Sequence, residues 1–174
     1  MAIAPRIAPC LWYDHQAEEA ARFYVSVFPG SRVNLVTRYG EVGRDIHGRP
    51  QGSVMTVEFE LQGQPVTALN GGPHFTFSEA VSLQVLCDGQ GEIDAYWAAL
   101  SAGGAEGQCG WLKDRYGLSW QVVPRELESL LSGSDQAAID RVMTALFPMR
   151  KLDWAALQAA FRGRTPGPGA GRAG

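Results

Sequence analysis

CGWLKDRYGLSWQVVP, residues 109–124, decides the fold. Gly110-Trp111-Leu112-Lys113-Asp114 and Leu118-Ser119-Trp120-Gln121-Val122-Val123 are two strand-like runs, and the Arg115-Tyr116-Gly117 between them supplies a glycine for a tight turn. The stretch reads as a β-hairpin. Along its second strand the side chains alternate, so Trp120 and Val122 take one face while Ser119, Gln121 and Val123 take the other. Pro124 cannot donate to a ladder, which ends the strand and lets the chain turn helical from Arg125.

Upstream, the same kind of unit occurs twice. Residues 7–13 are an apolar strand ended by Asp14, a good helix N-cap, and Ala17, Ala20, Ala21, Tyr24, Val27 and Phe28 then mark one face of a helix that ends at Pro29-Gly30. A strand over 33–39, a polar glycine-rich surface loop over 40–52, an alternating strand on Met55, Val57, Phe59 and Leu61, and a partner strand over 66–70 complete the first copy. The second begins with a strand over 81–87, followed by a helix carrying Ile93, Tyr96, Trp97 and Leu100. A shift of 73 positions lays Ala20, Phe23, Tyr24 and Val27 over those four residues, so the chain contains an internal repeat of a strand-helix-strand-strand-strand unit. After the hairpin come helices at 125–131, 135–147 and 153–161, with Asp135 and Asp153 as caps, and then a Gly/Pro-rich tail expected to be disordered.

Composition narrows the classes. A chain of 174 residues that is 45% hydrophobic buries one good core. Its formal net charge of −3, with no Lys/Arg run, argues against nucleic acid as a partner. Cys10, Cys87 and Cys109 form no C-x-x-C pair and are odd in number, so a disulfide framework is not expected and a reducing cytoplasm is. The apolar patch near the start is interrupted by Arg6 and Asp14, too short for a secretory segment or a membrane span.

The repeat and the residues that fill it resemble the vicinal oxygen chelate superfamily (glyoxalase, bleomycin resistance and dioxygenase proteins). Within it they resemble the PhnB-like group labelled 3-demethylubiquinone-9 3-methyltransferase. The resemblance lies in WYDHQAEEAARFYVSVFPGS (12–31), ALNGGPHFTFSEA (68–80), DAYWAALSAGG (94–104) and the hairpin stretch. It implies an α+β fold in which two βαβββ repeats, about 5–73 and 80–124, form a cupped mixed sheet with the ligand on its concave face. A glyoxalase-like domain over 1–124 is then followed by a C-terminal helical extension over 125–162 packed on it and a tail over 163–174. A homodimer is implied as well.

In metal-using members four inward residues hold a divalent ion, typically His and Glu, which suit first-row metals. Carried over by position, those sites are Pro9, Ala68 with its register open by one, Ser82 and Gln121. Pro and Ala offer no ligand atom, and Ser and Gln only weak neutral ones, so no metal and no cofactor is predicted. If Ser82 and Gln121 face the cup, period 2 adds Gln84 and Leu86, with Leu11 and Tyr13 from the first strand and Asn70 two beyond Ala68. Ser82, Gln84, Gln121, Asn70 and Tyr13 are therefore the expected ligand-binding residues, polar groups in an apolar hollow as a small molecule needs; the alternative is that the amides satisfy backbone groups at the sheet rim.

Glu79 and Glu58 are the candidate catalytic carboxylates, since a buried Glu with a raised pKa can act as acid or base. His74 beside Asn70 is the histidine to watch, while Cys10 and Cys87 alternate onto the helix side as core. The leading functional expectation is a small-molecule-binding protein of the PhnB-like group, with enzymatic activity left open. One alternative is a metal-dependent lyase, isomerase or dioxygenase recruiting Glu58, Glu79 or His74. The other is the methyltransferase of the group label. Asp88-Gly89-Gln90-Gly91 only faintly mimics a cofactor-binding glycine loop, reading better as a turn and helix cap.

Overall fold

The computed structural model describes residues 7–164. Residues 1–6 and most of the expected tail, 165–174, lie outside them. The chain divides into two compact units, Met1–Phe77 and Ser78–Gly174, and the C-terminal helices belong to the second.

In the first unit β1 (Cys10–Tyr13) leads into α1 (Ala17–Val27), followed by β2 (Arg32–Arg38), the one-turn α2 (Arg44–His47), β3 (Val54–Leu61) and β4 (Gln64–Asn70). Its sheet has the order β1-β4-β3-β2. The second unit carries β5 (Ser82–Cys87), α3 (Gln90–Ser101), β6 (Ala105–Glu106), β7 (Trp111–Lys113) and β8 (Ser119–Pro124), in the order β5-β8-β7-β6. In each sheet the first strand runs parallel to the fourth and the other neighbours are antiparallel. The duplication is therefore present in the topology, and both units have the glyoxalase-like βαβββ arrangement rather than an alternating parallel sheet.

Each sheet buries one face under its helix. Ala17, Ala20, Ala21 and Tyr24 of α1 are fully buried with Val57, Phe59 and Ala68. Ile93, Trp97 and Leu100 of α3 are buried, as are Val85, Cys87, Leu112, Trp120 and Val122 of the second sheet. Three further helices follow: α4 (Leu127–Leu131), α5 (Gln136–Leu146) and α6 (Trp154–Phe161). Asp135 and Asp153 accept from the backbone N–H of Ala138 and Ala156 at 3.0 and 2.9 Å, so these two expected caps form, whereas α1 starts after Gln16 without a side-chain cap and Asp14 instead pairs with Arg49. Val142, Leu146, Leu152 and Leu157 join Val123 of β8 in one apolar cluster, which packs the extension onto the second sheet.

The strand faces of the first unit differ from the expectation by one residue, for a local reason. Helices α1 and α3 begin 73 positions apart, but three residues (Asp14, His15, Gln16) separate β1 from α1 whereas two (Asp88, Gly89) separate β5 from α3. A one-residue slip sends every side chain of a strand to the other face. Leu11 and Tyr13, expected in the hollow, are buried, and the Tyr13 hydroxyl lies 3.2 Å from that of Tyr24 on α1. Ala68 and Asn70 share that buried face, while the exposed Cys10, expected as core, stands with Trp12, Thr67 and Leu69 on the opposite one. The excursion over 40–52 also differs, since it contains α2. Tyr39 stacks on His47 at 4.5 Å, and Arg49 donates to the Asp14 carboxylate at 2.9 Å.

Candidate functional site

The face of the second sheet opposite α3 gathers polar side chains in rows that cross three strands. Pairing sets Ser82 beside Ser119 and Ser119 beside Lys113, giving a row of two hydroxyls and an ammonium. The next row is Gln84, Gln121 and Trp111, and beyond it Leu86 stands beside Val123. Gln121 Nε2 donates to Ser82 Oγ at 2.8 Å, and Gln84 Nε2 donates to Gln121 Oε1 at 3.3 Å. Three of the five expected ligand-binding residues thus form one hydrogen-bonded group. Ser119 is fully buried between them and Lys113, and its Oγ has no hydrogen-bond partner among the described residues.

This face is held in register by a residue the sequence reading passed over. Asp114, 3% exposed, accepts from the backbone N–H of Tyr116 at 2.8 Å and of Leu118 at 3.1 Å, and from Trp120 Nε1 at 2.8 Å. An Asp at the first position of a turn with Gly three places on is a recognisable signal, and Gly117 takes φ +85° here. The carboxylate closes the hairpin and pins the indole of β8, which fixes the phase of Ser119 and Gln121.

The other two expected binding residues lie in the first unit. Tyr13 faces α1 as described. Asn70 Oδ1 accepts from Ala17 N at 2.8 Å, at the start of α1, and its Nδ2 donates to Val54 O at 3.0 Å, so both ends of the amide serve the backbone. Asn70 also lines a cleft of about 310 Å³ with His15, Glu18, Arg49 and Ser53. His74 is exposed.

Neither carboxylate candidate is a buried acid. Glu58 is exposed on β3. Glu79 is 66% exposed, with its carboxylate 2.7 Å from Lys113 Nζ, and the hydrogen bond from that ammonium lowers its pKa below the ordinary carboxylate value rather than raising it. Cys87 is the opposite case: burial, with Glu92 and Asp88 nearby, pushes the thiol up to about 12.

The four positions that the resemblance assigns to a metal carry no charged ligand. Ser82 and Gln121 are neutral donors bonded to each other, Ala68 is buried with no ligand atom, and Pro9 has none on its side chain. Among the described residues no three His, Cys, Asp or Glu side chains cluster to hold an ion. Nor does Asp88-Gly89-Gln90-Gly91 form a phosphate-type cradle. The Asp88 N–H donates to Glu92 Oε2 at 2.8 Å, and Gln90 bridges to Leu152 O and Trp154 N of the extension. No described helix is long and apolar enough to cross a membrane.

Comparison with known proteins agrees with this architecture. A family model described as 3-demethylubiquinone-9 3-methyltransferase matches residues 5–123. A PhnB protein from Bacillus cereus, also described as a 3-demethylubiquinone-9 3-methyltransferase, is 33% identical with a TM-score of 0.62; the match covers 69% of this chain and 99% of that one. Protein PA1353 from Pseudomonas aeruginosa shares the fold at 19% identity and a TM-score of 0.55, over 68% of this chain and 96% of its own. None of the curated proteins matches. Repeat topology, family match and PhnB likeness together mean that this chain belongs to the family described as 3-demethylubiquinone-9 3-methyltransferase, whose members include PhnB.

Proposed function

We propose that the chain is a small-molecule-binding protein whose ligand lies on the face of β5, β8 and β7 opposite α3, held by Ser82, Gln84 and Gln121 without a divalent metal or other cofactor. The observation that carries this reading is the Ser119 hydroxyl, fully buried and unbonded beside the Ser82–Gln121 pair. A buried polar atom left unsatisfied is costly, and a ligand atom that completes its bonding removes that cost. Amides and hydroxyls beside Trp111 and Leu86 supply the mixture by which pockets orient small polar molecules.

Methyl transfer, named in the family description, is not part of the proposal, because the one glycine turn resembling a cofactor loop is spent on starting α3. Metal-assisted chemistry is left out because the donor set is neutral. A cytoplasmic homodimer completes the proposal, and light scattering that returns the mass of a single chain contradicts the dimer. Thermal-shift screening of a fragment library tests the site. Stabilising fragments are expected for the natural chain and lost in Gln121→Ala; fragments that act equally on both place the ligand elsewhere. Stoichiometric Zn, Ni, Mn or Fe in the purified protein contradicts the metal-free reading.

A further inference from the structure

We propose that the Ser82–Ser119–Lys113 row is a subsite for the carboxylate of an unsaturated or aromatic acid, which takes the place that Glu79 holds at Lys113 and accepts a hydrogen bond from the Ser119 hydroxyl. This rests on the small-molecule reading above and specifies what that face receives.

The row is rich in donors. Ser82 Oγ already accepts from Gln121 Nε2, which leaves its own proton to give away. Ser119 Oγ, on the inner strand β8 between β5 and β7, has no hydrogen-bond partner among the described residues. Lys113 brings an ammonium from the next strand. Lys113 pairs with Glu79, which lies in the turn just before β5 rather than on a strand, and the two side chains are 66% and 37% exposed for Glu79 and Lys113. An exposed ion pair of this kind contributes little and is readily exchanged. Glu79 thus acts as an internal stand-in, a carboxylate resting where a ligand carboxylate gains charge-assisted bonds from Lys113 and a second donor from Ser119.

The neighbouring row defines the rest of the ligand. Gln84 and Gln121 present amide edges, Trp111 an indole, and the exposed Leu86 an apolar end, so a flat apolar body extending from the carboxylate lies along the strands.

Benzoate and its uncharged twin benzamide test the proposal on the full chain, followed by the amide resonances of β7 and β8. Benzoate is expected to bind about tenfold more tightly than benzamide. Lys113→Met should remove that preference, and Glu79→Gln should tighten benzoate by about threefold without altering benzamide. Ser119→Ala should weaken benzoate with no loss of thermal stability, since the hydroxyl it deletes is unbonded. Equal binding of the two probes, or a preference that survives Lys113→Met, overturns the carboxylate subsite. Fragments that still shift Gln84 and Gln121 in that event leave the small-molecule face standing, whereas shifts by no compound dispose of both.

Discussion

Gln121 and Ser82 meet across two parallel strands, the amide nitrogen of one donating to the hydroxyl oxygen of the other at 2.8 Å. Gln84 extends the pair by donating to Oε1, the acceptor end of the same Gln121 amide. Replacing Gln121 by Ala deletes the central member and leaves Ser82 and Gln84 to water. Because the group is partly exposed, the cost to folding is about 1 kcal/mol. Urea denaturation should register that small loss, while fragment binding to the sheet disappears.

Asp114 matters more to stability. Asp114→Ala strips the acceptor from two backbone N–H groups and from the Trp120 indole, all inside the hairpin. Leaving such donors unsatisfied should cost about 3 kcal/mol, with Asp114→Asn intermediate because it keeps one accepting oxygen. Denaturant midpoints at constant slope measure both.

Gly71 is fixed by a close approach. A Cβ there would run into the Trp12 indole at Cζ2, and the same indole donates to Gly72 O at 2.8 Å. Gly71→Ala must displace the ring, at about 1–3 kcal/mol. Gly63→Ala, where a Cβ meets nothing within 4 Å but φ is +90°, separates backbone strain from the clash. Calorimetry of the two variants should show the larger enthalpy change at Gly71.

The cysteines give a pH prediction. Exposed Cys10 should react with a thiol reagent at once near pH 8, and buried Cys87 only on unfolding. With the folded pKa of Cys87 raised to about 12 from 9.0, the unfolded chain releases this proton first as pH rises. The contribution to stability is therefore complete below pH 9.0 and declines as pH climbs towards about 12. Urea midpoints of the natural chain and of Cys87→Ala should converge over that interval, and parallel curves contradict the assignment.

Much of the fold was legible because its signals are local. The helix faces at Ala20–Tyr24 and Ile93–Trp97, the glycine in the hairpin turn and the Asp caps of α5 and α6 all appear as predicted. The face of the second sheet was legible as well, since Ser82, Gln84 and Gln121 follow period 2 from a correctly placed strand. What failed was phase in the first unit. One extra residue between β1 and α1 is invisible to a repeat aligned on its helices, yet it turned Tyr13 towards α1; Asn70, on a strand whose register the sequence left open by one, is paired with Tyr13 and shares its face. Asp114 was missed because a charged residue in a turn reads as solvated until its partners are known.

The most direct test of the ligand face is a titration of the ¹⁵N-labelled side-chain amides of Gln84 and Gln121 with a fragment mixture that includes aromatic acids. Saturable shifts of both amides, abolished for the Gln84 signal by Ser82→Ala together with Gln121→Ala, are the predicted result. Amides that stay fixed while fragments shift residues lining the His15–Arg49 cleft would contradict it.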